Sequence, residues 1–220
     1  MPFTVDQFYD VFRAYNEAIW PTQLLLIGLA LVGVLLVARP RKWSHAVVSG
    51  ILAMLWTWLA IVYHFAFFAR INPLAYAFAA LSLAGAAVFA WDGVVRRRLR
   101  FEWSGDLRSW IGATLIGFGL VVYPAWSWVA GHAYPAVPTF GLPCPTTLYT
   151  VGMLAFLVAP YPRRAHVVPI LWSAIGMQAA FLLGVPQDLS LIGSGLIGIG
   201  LVLRSKPKAP RTAGAAGGGG

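Results

Sequence analysis

His45–Ala69 reads HAVVSGILAMLWTWLAIVYHFAFFA. Its 25 residues include no Asp, Glu, Lys or Arg. A helix needs about 20 mostly apolar residues to cross roughly 30 Å of hydrocarbon. Barrel strands would instead alternate over about 10 residues. The stretch therefore predicts a membrane-spanning helix. Six further runs read the same way: Ala18–Ala38, Pro73–Val95, Ser109–Ala130, Cys144–Tyr161, His166–Gly184 and Gln187–Leu203. The expectation is an all-α integral membrane protein, a seven-helix transmembrane bundle over residues 18–203.

Composition agrees. The 220 residues are 59% hydrophobic and 10% charged. Globular chains average roughly 45–50% apolar and about 25% charged, so a soluble enzyme and a disordered chain are both excluded. The charges then orient the bundle. Arg39, Arg41 and Lys42 follow the first run, and Arg96, Arg97, Arg98, Arg100 and Arg108 follow the third. Arg163 and Arg164 follow the fifth, and Arg204, Lys206, Lys208 and Arg211 follow the seventh. The intervening loops carry only Arg13 and Arg70. Under the positive-inside rule this places the N-terminus outside and the C-terminus in the cytoplasm. The net charge of +9 is then a matter of cytoplasmic anchors, and a nucleic-acid partner is not needed.

The flanks are distinct. In residues 1–17, Phe8, Val11, Phe12 and Tyr15 repeat at three and four, which predicts an amphipathic helix in the outer interface. No signal peptide is visible. Residues 204–220 are basic and rich in Gly, Ala and Pro, a low-complexity tail expected to be disordered. The single cysteine, Cys144, allows no intrachain disulfide.

Close packing should hold the helices together in lipid, so small residues mark the contacts. Ser190, Ser194 and Gly198, then Ala80, Ala84 and Ala87, then Ala113 and Gly117 form such stripes. Trp20, Trp91 and Trp110 fit interfacial belts.

The unusual polar groups gather on the outer side. His64 lies about 8 Å inside its run if the helix ends near Ala69, where an ionisable group marks a functional site. Glu17, Asn72, His132 and Asp188 share that side, with Cys144. Asp188 follows Pro186 at the start of the last run, and its carboxylate there suits a helix N-cap. Gly131–Cys144 reads GHAYPAVPTFGLPC, a charge-free loop stiffened by Pro135, Pro138 and Pro143. Such a loop reads as a lid over the bundle mouth, and Thr146 and Thr147 can cap the helix after it. Trp56, Trp58, Tyr63, Phe67, Tyr123, Trp126 and Trp128 offer walls for an apolar pocket beneath. His45 and His166 read as interfacial residues on the cytoplasmic side.

The phrases FYDVFRAYNEAIWP, YHFAFFARINP, GHAYPAVPTFGLPCPTTLYTVG and LLGVPQDLSL resemble a bacterial family of multi-pass membrane proteins described as a domain of unknown function. The resemblance runs to about Leu203, and PTFGLPCPTT is its most specific part. It implies a bacterial inner-membrane protein and no particular activity.

The functional expectation is a small-ligand or metal site at the outer, periplasmic mouth. Its candidate ligand-binding residues are Glu17, His64, Asn72, Tyr123, His132, Cys144 and Asp188. His64 and His132 are the candidate ligands of a transition metal or haem. A small apolar ligand, the bilayer, and a homo-oligomeric or complex partner are the partners considered. The alternatives are a small-solute transporter and an accessory subunit. A metal-dependent lipid hydrolase is disfavoured, because the last run has no histidine pair at i and i+4. A retinal protein is excluded, because no lysine lies in a run.

Overall fold

The computed structural model describes residues 2–205. Every extended element among them is helical, and two isolated bridges, Phe101 with Leu157 and Phe140 with Leu142, are the only β-like pairings. Helix α1 (Val5–Ile19) starts at a capping box. Thr4 Oγ1 accepts from the Gln7 amide and Gln7 Oε1 accepts from the Thr4 amide. Its expected face is buried: Phe8, Val11, Phe12 and Tyr15 all pack inward. At Pro21 the chain turns by 87° into α2 (Thr22–Ala38), so α1 lies across the end of the bundle.

Among the described residues five continuous helices are long and apolar enough to cross a membrane. Helix α3 (Ser44–Trp58) runs on through a π-helical stretch, Leu59–Phe67, to Arg70. Helix α4 (Ala75–Val88) extends through a second π stretch, Phe89–Val95. Helix α5 (Leu107–Gly117) continues through a third, Phe118–Val122, into α6 (Tyr123–Val129). The other two spans are Arg163–Leu182, containing α8 (Val167–Gly176) and α9 (Gln178–Leu182), and Pro186–Leu203, containing α10 (Ser190–Leu203). The bent α1–α2 pair makes a sixth if it counts as one span.

The run Cys144–Tyr161 departs from expectation. Helix α7 covers only Pro143–Leu154, 12 residues, or about 18 Å at 1.5 Å per residue. All of it except Cys144 is buried. It runs antiparallel to α5: Gly119 lies against Pro145 and Leu148, and Gly112 against the Gly152 carbonyl. At the far end the Arg108 guanidinium donates to the Leu157 carbonyl. Thr146 and Thr147 do not cap α7, and their hydroxyls have no hydrogen-bond partner.

The packing stripes are shifted from those read in the sequence. Ala80, Ala84 and Ala87 face outward, while Ala75, Ala79, Ser82 and Ala86 are buried. Gly112 and Gly119, not Ala113 and Gly117, take the close approach to α7. Ser194 and Gly198 do face the bundle, Ser194 beside Ser173 and Gly198 beside Ile170.

One end of the bundle is basic. There the Glu102 amide donates to the Phe156 carbonyl (2.9 Å) and the Val158 amide to the Arg100 carbonyl (2.8 Å). Asp92, fully buried in the second π stretch, accepts two hydrogen bonds of 2.5 Å from Arg164. His166 is also fully buried, stacked on Tyr161. Of the expected tail, residues 206–220 lie outside the described part. The opposite end carries α1 and the Pro-rich loop.

Candidate functional site

The loop end is tied together by polar side chains from the α1–α2 corner. Asn16 Nδ2 donates to the Pro135 (2.6 Å) and Val137 (2.7 Å) carbonyls. Asn16 Oδ1 accepts from Gln23 Nε2 (2.6 Å) and Thr139 Oγ1 (2.7 Å). The Tyr15 hydroxyl donates to the Gly141 carbonyl at 2.9 Å and accepts from Trp58 Nε1 at 2.8 Å. A proline-rich segment has few amides of its own to offer, so its carbonyls need outside donors. Tyr15 and Asn16 supply them.

Beneath this loop lies a cavity of about 250 Å³. Phe8 and Phe12 of α1 wall one side, and Pro138, Leu142 and Pro145 of the loop another. Most of the lining is apolar, but a small set of polar groups converges on it. His64 enters from the π stretch, a winding often found at functional positions. Its ring is fully buried among Trp172 (centroids 4.9 Å apart), Tyr63 (5.1 Å), Phe78 (5.8 Å) and Phe68 (6.4 Å). Neither of its nitrogens has a hydrogen-bond partner, and neither does Trp172 Nε1.

The second polar group is Asp188. It sits in a 3-10 turn, Pro186–Leu189, and its carboxylate accepts from the Tyr123 hydroxyl. Both residues are buried to 1% exposure. Asp188 is therefore not the helix cap that its position after Pro186 suggests; α10 starts without a side-chain cap. Cys144 reaches the same space. A Cβ on Gly176 would lie 3.3 Å from Cys144 Sγ and 3.4 Å from Trp172 Nε1, so the absence of a side chain there lets thiol and indole meet. Sulfur is at best a weak acceptor, and it leaves the indole N–H in need of a stronger one.

Five of the seven sequence candidates thus line one cavity: His64, Asn72, Tyr123, Cys144 and Asp188. Asn72 also has a local task, since its Oδ1 accepts from the Leu74 amide (3.0 Å) just before α4. The other two lie elsewhere. Glu17 is exposed. His132 stacks on Tyr9 at 3.9 Å with the rings 4° from parallel, in a separate hollow beside Asp6, Asp10 and Arg13. The structure divides the imidazole pair expected to share a metal or haem iron between two places. Among the described residues no group of three His, Cys, Asp or Glu side chains is arranged to hold a metal ion.

Residues 5–212 match the model of a family of unknown function, DUF6064. The chain belongs to that family. No curated protein and no solved structure matches it. The family match covers every lining residue of the cavity except Pro2 and Phe3, and the cavity's chemistry rests on the geometry alone.

Sequence reasoning missed Trp172, Phe78, Phe8 and Phe12 as walls of the pocket. The α1 pair carried a signal, the i, i+4 apolar face that was read as lipid-facing. Trp56, Trp58 and Phe67, offered as walls, line no part of the cavity, and Trp126 and Trp128 are exposed.

Proposed function

We propose that the protein is a multi-pass protein of a bacterial inner membrane. In this reading it binds a small, largely apolar ligand in the cavity under the Pro-rich loop, with that loop facing the periplasm. Membrane residence is supported by the outward face of the candidate spans. Leu24, Leu35, Ile61, Val121, Phe181 and Leu196 are each more than half exposed, far beyond what a soluble surface tolerates as a continuous band. The orientation is supported by the basic end, which would face the cytoplasmic leaflet.

The observation that carries the ligand reading is the unpartnered His64 ring and Trp172 N–H in one apolar cavity. A buried polar group without a partner costs about 1–3 kcal/mol, and native proteins keep few of them. A bound molecule that hydrogen-bonds there removes the cost. Apolar walls with a few convergent polar groups are the usual form of a small-molecule site.

Titration of the detergent-solubilised protein with the uncharged lipophilic fluorophore N-phenyl-1-naphthylamine tests this. One saturable site per chain is expected. The variant Ala179→Trp, which fills the cavity wall, should lose that site while keeping its helical circular dichroism. Saturable binding that survives the filled cavity, or none in the parent, would defeat the reading.

A further inference from the structure

We infer that the ligand is headed by a carbonyl on a flat ring, the chemistry of a lipid-soluble quinone, and that its tail leaves the cavity sideways past Leu74 and Leu182. This inference rests on the cavity being a ligand site and adds the class of molecule that fills it.

The head follows from the polar groups. Trp172 Nε1–H can only donate, and an imidazole in its uncharged form has one N–H to give. Both sit on neighbouring rings with centroids 4.9 Å apart. One carbonyl oxygen has two lone pairs and can accept from both. An ammonium head would bring three donors to a pair of rings that offers one lone-pair nitrogen, on His64, and two N–H groups that need acceptors. A carboxylate or phosphate head would share the cavity with the Asp188 carboxyl group. Asp188 itself is occupied by the Tyr123 hydroxyl.

The flatness follows from the walls. Tyr63, Phe68, Phe78 and Trp172 surround the His64 ring at stacking and edge distances. Aromatic walls of this kind favour a planar partner in offset-stacked or edge-on contact. The side exit follows from volume and exposure. A cavity of about 250 Å³ is smaller than the roughly 300–1,000 Å³ of drug-sized pockets, so it takes a ring-sized head and leaves a long tail outside. Leu74 and Leu182 line the cavity and are also 59% and 53% exposed, which marks an apolar mouth on the side of the bundle.

Displacement of N-phenyl-1-naphthylamine from the full chain in nanodiscs separates the cases. The competitors are decyl-benzoquinone, decylbenzene, dodecanol and dodecylamine. The quinone should displace the fluorophore at least tenfold more effectively than decylbenzene, as one or two buried hydrogen bonds require. His64→Phe and Trp172→Phe keep the rings and remove the donors. Each should erase most of that advantage, read as the ratio of quinone to decylbenzene displacement within the same variant. The infrared carbonyl band of bound quinone should lie below that of free quinone and shift back in both variants. Equal displacement by quinone and decylbenzene overturns the carbonyl assignment while leaving the cavity reading intact. So does stronger displacement by dodecanol or dodecylamine, or an advantage that survives both substitutions. If the fluorophore itself finds no saturable site, the cavity reading falls as well.

Discussion

At the scale of single residues, Asn16 does the most structural work at the loop end. One amide group serves four partners: two loop carbonyls, Gln23 and Thr139. Asn16, Gln23 and Val137 are buried, so the Val137 carbonyl and the Gln23 amide have little access to water when Asn16 is removed. Asn16→Ala should therefore cost roughly 2–4 kcal/mol, more than one ordinary hydrogen bond, because it strands several groups at once. Unfolding by SDS titration in micelles measures it. A loss under about 0.5 kcal/mol would mean that the loop finds other donors. Nothing in the sequence around Asn16 signals this task. Its loop partners lie more than a hundred positions away, and backbone carbonyls carry no sequence signature. His64 was different. A histidine one and a half turns inside an apolar run is visible because such a position is costly. Asp188 was visible as a residue and misread in role, since a cap and a buried acid paired with a distant tyrosine start from the same Pro–x–Asp pattern.

At the scale of elements, the five long helices were legible to within a few residues, because run length alone decides them. The first run, expected as one helix over Ala18–Ala38, is broken in the structure: α1 and α2 meet at Pro21 with a bend of 87°, and nothing in the run's composition marks that corner. Helix α7 was not legible either. A helix packed on all sides is apolar all round whether it crosses a bilayer or sits inside a bundle. The sequence 143–161 offers no way to tell the two apart. The alanine stripes failed for a related reason: α4 is apolar on every face, so a row of alanines at four-residue spacing can point either way. The start of α5 is plainer. Asp106 accepts from the Ser109 amide at 2.9 Å, an N-cap bond. Hydrogen bonding from Ser104 and Ser109 holds its carboxyl below the ordinary carboxylate range. A lowered value in the folded state stabilises the fold above the unfolded-state pKa and loses that contribution as the pH falls through the folded value. Asp106→Ala should cost about 1 kcal/mol at neutral pH and the deficit should shrink in acid. A deficit independent of pH would assign the effect to packing instead of the cap.

At the scale of the whole molecule, the loop and α7 share one traverse of the bundle. Irregular backbone at membrane depth is tolerated only where protein covers it or it lines a cavity. The loop here meets both conditions, with Tyr15 and Asn16 pairing its carbonyls and its Pro138–Pro145 side facing the pocket. Among the described residues five continuous helices, and the bent α1–α2 pair if it counts as one span, are long and apolar enough to cross a membrane; in the proposed topology this loop with α7 would be the seventh crossing. Arg100, Arg108 and Ser205 all meet the 155–163 segment at one end. All described lysines and arginines except Arg13 and Arg70 then lie on that side, each favoured by roughly 1 kcal/mol beside anionic lipid. Single cysteines at exposed positions of the two ends test the arrangement, in a Cys144→Ser background. Ala133→Cys in the loop should react with a membrane-impermeant maleimide on intact bacterial cells. Arg97→Cys at the basic end should react only after the cells are opened. Inverted labelling would turn the bundle over and place the cavity on the cytoplasmic side. Equal labelling of both in intact cells, with a cytosolic control protected, would mean that the bundle does not separate two compartments. Its exposed leucines would then need a protein partner instead of lipid.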